Sequence, residues 1–418
     1  MSDIIYNRIP RLRFPGFAGG WEEKKLGEVT YWDKYFQGVP RELQPKVIKY
    51  PYVLANVFSE IERKNGDVLL LSTGNYAGWT TEELAGENLC EGEVVAIPWG
   101  GVANVKYAKG KFVTADNRIA TSSDVHILNN KFLYYLLLSE KNVLDGFYRG
   151  ASIKHPSMYD VLNMPISIPS LAEQQRIADC LTEIDNLIAA QGKKVDALQE
   201  RKQGLMQQLF PRDGETTPRL RFPGLEGEWI EKKLGDILIE RKEISVITDE
   251  LPQLSFTIAE GVIKPEDRKT NQRDFLMKDK DNKRFAVTRL NDIIYNPANV
   301  VFGAIHKNNL CDGVVSPIYK IFWTKENADF ISYLLRRPGF ISLLASRTEG
   351  TVTKLKTLKA DAFLDITVLF PTESFEQRKI ASCLSALDDT IQAETDKFEV
   401  LKTQKKGIMQ QLFPQPIK

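Results

Sequence analysis

One stretch constrains this chain more than any other: EQQRIADCLTEIDNLIAAQGKKVDALQERKQGLMQQLFP, from Glu173 to Pro211. It returns 203 residues later as EQRKIASCLSALDDTIQAETDKFEVLKTQKKGIMQQLFP, from Glu376 to Pro414. Laid together without a gap, the copies agree at 19 of 39 positions, and the MQQLFP tail is unchanged. A duplication of this kind governs the reading of every local motif.

Each copy reads as one long amphipathic helix. In the first, Ile177, Leu181, Ile184, Ile188, Val195, Leu198, Leu205 and Leu209 follow alternating steps of four and three. Gln191 and Lys202 occupy the two remaining places in the stripe. In the second, Ile380, Leu384, Leu387, Ile391, Phe398, Leu401, Ile408 and Leu412 repeat the pattern, with Glu394 and Lys405 as the breaks. This is the a/d spacing of a coiled coil, in which polar seam positions cost stability and fix register. Matched breaks imply that both helices share one geometry. Ser170 with Glu173, and Ser374 with Gln377, have capping-box spacing, and Pro211 and Pro414 close the two segments. At about 1.5 Å per residue such a helix extends roughly 55 Å.

A second repeat opens each half. Residues 10–29, PRLRFPGFAGGWEEKKLGEV, match residues 218–237, PRLRFPGLEGEWIEKKLGDI, at 14 of 20 positions. RLRFPG predicts an extended lead-in with a turn at Pro-Gly, and the segments around Trp21 and Trp229 predict short amphipathic pieces that dock it. The parts between, about 30–169 and 238–372, share no alignable identity. Their order nevertheless agrees: strands, a helix, a glycine-bearing loop, a last strand. DVLLLST, EVVAIPW, KFVTA and VHILN predict strands in the first, followed by a helix over KFLYYLLLSEKNVLDGF. FAVTRL, DIIYNP and VVSPIYKIFW predict strands in the second, followed by a helix over ADFISYLLRRPGFISLLA. Duplicated frames around divergent inserts imply one scaffold that presents two different surfaces.

Composition excludes several classes. Four cysteines (Cys90, Cys180, Cys311, Cys383), with no CxxC pair, argue against a disulfide framework or zinc cluster and for a reducing cytoplasm. No signal peptide is legible at MSDIIYNRIP, and no apolar run is long enough to span a bilayer. The net charge of +1 is indifferent, since only the local distribution of charge governs contact with a polyanion. The three histidines, His126, His155 and His306, have no metal-ligand spacing. No GxSxG, P-loop or GxGxxG occurs. Asn296-Pro297-Ala298-Asn299 lacks the second proline and the aromatic of an amino-methyltransferase motif, and reads as a turn.

Basic and amide-rich loops are better represented. Residues 263–289 hold nine Lys or Arg against five Asp or Glu. Arg and Lys suit phosphates and guanine edges, and Asn and Gln suit adenine. The candidate contacts are Lys34, Gln37, Arg41, Lys46, Arg149, Lys154 and His155 in the first half. In the second they are Arg241, Lys242, Arg268, Lys269, Gln272, Arg273, Arg347, Lys354 and Lys356. A solvated face would account equally for any one cluster. Position adds weight: Lys154 and Lys354 each follow a glycine by four residues in corresponding loops.

With both repeats in view, the chain resembles the specificity (S) subunit of type I restriction–modification systems. The twin RLRFPG…W.EKKLG openings, the twin EQ..IA.CL…MQQLFP helices and GVVSPIYKIF (313–322) carry the resemblance, which covers essentially the whole chain. GVVSPIY has no clear counterpart in the first half, where KFVTADNRIATSSD stands. The resemblance implies an α/β (α+β) architecture with an internal pseudo-twofold repeat. Two target recognition domains, 1–172 and 218–375, would be separated by two antiparallel spacer helices, 173–211 and 376–414, with a linker at 212–217. It implies double-stranded DNA as ligand, each domain reading half of a bipartite asymmetric site. Two methyltransferase and two restriction subunits would be partners, with S-adenosylmethionine, ATP and Mg bound by them and no cofactor in this chain. A coiled-coil scaffold that never touches DNA, and a fused enzyme holding its own catalytic domain, are the competing readings.

Overall fold

Each long repeat forms a single α-helix in the computed structural model, Leu171–Leu209 and Ser374–Leu412. The structure describes residues 9–33, 39–75, 77–268, 283–348 and 357–414. The chain forms two compact units, Met1–Gly192 with Asp396–Lys418, and Lys193–Thr395. Each unit therefore holds one divergent insert and half of each long helix. Ser170 caps the first helix, its Oγ accepting from the Glu173 amide at 3.4 Å. The reciprocal capping-box bond is not made in either copy, because the side chains at the third position find partners outside the helix. Glu173 takes Arg13, while Gln377 reaches Asn327 and Glu326. Ser374 lies inside its helix and accepts from Arg378.

In the first unit the helix segments run antiparallel, since Asp185 meets Lys405 while Gly192 lies beside Phe398. The second unit repeats this, with Lys202 against Asp388 and Lys194 against Glu394. No apolar position of either stripe is exposed, whereas Leu187 and Val400, off the stripe, are 58% and 53% exposed. The two lysine breaks have a shared cause. Lys405 Nζ and the Tyr135 hydroxyl both donate to Asp185, at 2.5 and 2.8 Å. Lys202 Nζ and the Tyr333 hydroxyl both donate to Asp388, at 2.5 and 2.7 Å. Burial, reinforced by the adjacent carboxylate, pushes both tyrosine pKa values up, so each hydroxyl stays a donor. Hydrogen bonds to a charged group contribute about 1.5–3 kcal/mol each.

The opening segments close the frame. Leu12 N–H donates to Gln411 O, and Leu220 N–H to Gln208 O, both at 2.9 Å. Each opening therefore pairs with the end of the long helix from the other repeat. Trp21 packs edge-on to Phe132 and Phe413, with centroids 6.0 and 6.3 Å away. Trp229 does the same with Phe330 and Phe210, at 5.8 and 5.9 Å. All six rings are buried, each contributing about 1.5–3 kcal/mol by removal from water. Arg13 grips Glu173 through two bonds of 2.8 Å, and Arg221 grips Glu376 likewise. Strand Glu22–Lys25 then pairs antiparallel with Pro165–Ile168, as Ile230–Lys233 does with Thr367–Phe370. Gly27, in the 3-10 turn Leu26–Glu28 that follows, packs closely on Leu162: an added Cβ would lie 3.1 Å from it, and the neighbour would have to shift by a few tenths of an ångström.

Between these frames the inserts differ. The first builds a seven-stranded, mostly antiparallel sheet in the order Val47–Ile48, Thr30–Asp33, Asn117–Ser122, Cys90–Pro98, Lys106–Thr114, Val68–Leu71, Ala77–Thr80. Among the described residues the second divides into a four-stranded sheet (Ile239–Glu240, Lys320–Trp323, Ile293–Tyr295, Ile305–Lys307), a three-stranded one (Ile244–Ser245, Phe285–Thr288, Gly313–Val315) and a two-stranded hairpin (Ser255–Thr257, Gly261–Ile263). Several expected elements are shorter or different. VHILN is a turn, because Asp124 O accepts from Ile127 and Leu128 and its carboxylate from His126. The strand lies just before it, at Asn117–Ser122. The helix expected over 131–147 divides into Asn130–Ser139 and Lys141–Gly146. That over 328–345 divides into Ala328–Leu335 and Pro338–Ser346, because Pro338 has no amide hydrogen to continue the ladder. VVSPIYKIFW is two strands, Gly313–Val315 and Lys320–Trp323, interrupted at Pro317.

Two outcomes follow for stability. Arg13→Ala leaves Glu173, 1% exposed, without its cation, and is expected to cost about 3–5 kcal/mol in urea unfolding. Arg13→Ala with Glu173→Ala together should cost less than Arg13→Ala alone. His306 is buried, and burial pushes its pKa down from 6.5 to about 4. Below 6.5 the unfolded chain takes up a proton that the folded one excludes, so this contribution is complete above 6.5 and declines towards 4. The stability of the His306→Gln variant should therefore fall less steeply than the parent's between pH 6.5 and 5, followed by denaturant midpoints.

Candidate nucleic-acid interface

The first insert brings two exposed loops together around a buried cation. Strand Cys90–Pro98 ends at Trp99-Gly100-Gly101-Val102, and the next strand begins at Lys106. Arg118, in the interior strand Asn117–Ser122 that pairs with Cys90–Pro98, is only 8% exposed, and its guanidinium lies 3.6 Å from the Trp99 ring centroid. Burial lowers the Arg118 pKa, opposed by Asp116 at 3.2 Å. His155 packs against Trp99 with centroids 5.1 Å apart, and its Nδ1 donates to Trp99 O at 2.7 Å. His155–Pro156 pairs with Tyr148–Arg149 as a hairpin whose tip, residues 150–154, is exposed throughout. Gly101 N–H donates to Lys154 O at 2.9 Å, joining the tip to the neighbouring loop.

The expected contact residues have different situations here. Lys154 is exposed at the tip, and His155 anchors the hairpin's base. Arg149 is held by Asp160 at 2.6 Å, on the capped helix Met158–Asn163, which fixes the other strand of the hairpin. Arg41 opens an exposed 3-10 turn, Arg41–Leu43. Lys46 is exposed, its Nζ 5.5 Å from the Tyr31 ring centroid. Lys34 and Gln37 lie outside the described residues.

In the second insert Arg241 is committed to the fold. It donates twice to Asp292, at 2.7 and 2.9 Å, and Asp292 is 2% exposed. Lys242 beside it is exposed, with Nζ 3.5 Å from Glu240. An open cleft of about 560 Å³ lies here, lined by Glu240, Lys242, Tyr319, Lys320 and Lys359. Its basic side chains are partly offset by Glu240, which faces both Lys242 and Lys320. Arg268 is half-buried after the turn Pro265–Asp267, and Arg347 is exposed beyond Pro338–Ser346. Lys269, Gln272, Arg273, Lys354 and Lys356 lie outside the described residues. Asn296–Asn299 forms a turn, with Asn296 Oδ1 accepting from Ala298 N at 3.0 Å and Pro297 O from Leu358 N at 3.1 Å.

Trp99 and Arg118 were not among the residues singled out by sequence. The available signal was an arginine beside the apolar pair Ile119-Ala120 and a Trp-Gly-Gly after the apolar run VVAIP. Neither residue is close to the other in sequence, so only the sheet pairing of Ile97 with Arg118 announces their contact. Among the described residues, no group of three or more His, Cys, Asp or Glu is placed to hold a metal ion. No helix among them is long and apolar enough to cross a membrane.

Residues 19–200 match the family model of the type I restriction modification DNA specificity domain. The chain is 23% identical over 433 residues to the type I restriction enzyme MjaVIII specificity subunit of Methanocaldococcus jannaschii, covering 94% of this chain and 92% of that one. It is 27% identical over 300 residues to the putative MjaX specificity subunit of the same organism, covering 68% and 67%. The crystal structure of the type I restriction–modification S subunit from M. genitalium has the same fold, with a TM-score of 0.60 at 16% identity over 98% of this chain and 100% of that one. With its duplicated frame and paired long helices, the chain is similar along nearly its whole length to type I restriction–modification specificity subunits, and residues 19–200 carry the match to the specificity domain itself.

Proposed function

We propose that the chain reads a bipartite, asymmetric site on double-stranded DNA, one half with each divergent insert, and presents that site to catalytic partners. The observation that carries this reading is the repeated frame around unlike inserts. The principal ties that hold the frame occur in both copies: Arg13–Glu173 with Arg221–Glu376, and Lys405–Asp185 with Lys202–Asp388. Among the described residues the sheets it presents are unlike: seven strands together in one unit, and a four-, a three- and a two-stranded sheet in the other. A protein that bound one thing twice would have no need of two different surfaces. Two unlike sequences read in tandem require them.

In this reading the chain supplies specificity and its partners supply chemistry. Two methyltransferase subunits dock on the repeated frame and two restriction subunits complete the assembly. S-adenosylmethionine, ATP and Mg belong to those subunits, and the complex works in the cytoplasm. Lysines and arginines on the exposed loops take phosphates and give salt-dependent affinity. A few side chains per insert discriminate bases, at about 1–3 kcal/mol for each good bidentate pair. An adenine inside a duplex is reached by flipping it out, which the methyltransferase performs while this subunit holds the flanking sequence.

Methylome sequencing of a host that expresses this chain with its methyltransferase is expected to give one bipartite adenine-methylation motif with an unread gap. Exchange of residues 30–169 alone should change one half-site only; movement of both would refute independent readers. An intact complex without a motif would favour the scaffold reading. The Lys202→Ala and Lys405→Ala variants should unfold at lower urea concentration and keep the parent's motif. A changed base preference in either would show that the seam lysines take part in reading.

A further inference from the structure

We infer that the hairpin Tyr148–Pro156, seated on Trp99, is the base-reading element of the first insert, with Ile153 and Val102 as its discriminating contacts. The inference rests on the reading of this chain as a DNA-specificity subunit and deepens it to named side chains. Ile153 is 63% exposed and Val102 50% exposed, two large aliphatics held out in water on adjacent loops. They belong to two loops that touch and are hydrogen-bonded to each other. An added Cβ on Gly100 would lie 3.2 Å from Ile153 Cγ2, and Gly101 N–H donates to Lys154 O.

Both ends of the hairpin are pinned. Arg149 is tied to Asp160 at 2.6 Å, and His155 to Trp99 through a ring contact and a 2.7 Å bond. Gly150 makes the tight turn possible: its φ is +145°, and a Cβ there would meet Ile153 O at 2.4 Å. Under this lies Arg118, stacked on Trp99 from inside the sheet. A tip preorganised in this way loses little entropy on binding.

The chemistry of the tip specifies its ligand. Aliphatic side chains beside an exposed ammonium suit the major groove, where thymine presents a methyl group and the backbone presents phosphates. Ile153 and Val102 would meet thymine methyls, and Lys154 a phosphate. Arg149 and His155, committed to Asp160 and Trp99, act as positioning residues that hold the hairpin without reaching a base.

The test uses the full chain in complex with its methyltransferase subunit, once the parent's motif is known. Binding is measured to the parent's site and to duplexes carrying single A·T-to-G·C changes, over a salt series. Ile153→Ala and Val102→Ala are expected to lower discrimination by about fivefold or more at one or two A·T pairs of a single half-site, on the scale of the buried methyl groups removed. The other half-site should be unaffected. Lys154→Ala should weaken all duplexes alike and reduce the salt slope by about one. Since all three side chains are exposed, the variants should keep the parent's unfolding midpoint. Unchanged discrimination in both aliphatic variants would overturn the proposal while leaving the specificity-subunit reading in place. A parent complex that prefers no sequence would overturn both.

Discussion

The carboxylates of Asp185 and Asp388 are the joints of this molecule. Each accepts a tyrosine hydroxyl from an insert helix and a lysine ammonium from the long helix of the other repeat. A half-buried carboxylate with two donors is costly to leave alone, so the three partners stay together. That single cause fixes three things in each unit: the register of the paired helices, the docking of the insert, and the reason a lysine occupies a hydrophobic stripe. Apolar packing in the seam is non-directional, whereas a carboxylate bonded to two donors fits one register.

The opening segments make the arrangement reciprocal. Arg13 binds the start of the first long helix, while Leu12 and Trp21 bind the end of the second. Arg221, Leu220 and Trp229 repeat these roles with the helices exchanged. Each half of the sequence is therefore incomplete without part of the other. The folded units do not coincide with the halves of the chain: Met1–Gly192 takes Asp396–Lys418 with it. Against so constrained a frame, the inserts are free to diverge, and among the described residues no single sheet of the second insert has the seven strands joined in the first.

Much of the frame was legible in the chain. Steps of four and three mark a helix stripe wherever they occur, and the breaks at Lys202 and Lys405 stood out as matched exceptions. The insert strands were legible where apolar runs coincide with the sheet, as at Val68–Leu71 and Ile293–Tyr295. They were not legible at Asn117–Ser122, where Asn117 and Arg118 are buried polar residues that composition alone assigns to a surface. The candidate interface was legible in part. Lys154 and His155 were accessible to a reading of basic loops, but Arg241 satisfies the same reading and is tied to a buried aspartate.

The sequence by itself determined that the chain is a duplication, that the repeated segments are long paired helices, and that the intervening parts differ. Those properties reside in local period and in self-similarity, which need no knowledge of distant contacts. Only the tertiary structure decided which end of which helix each opening grips, what Lys202 and Lys405 are for, and which cations remain free to meet a ligand. The reason is physical. A charged side chain has the same character in a sequence whether its partner is water, a phosphate or an aspartate 220 positions away, as Asp185 is from Lys405, and only the fold selects among them.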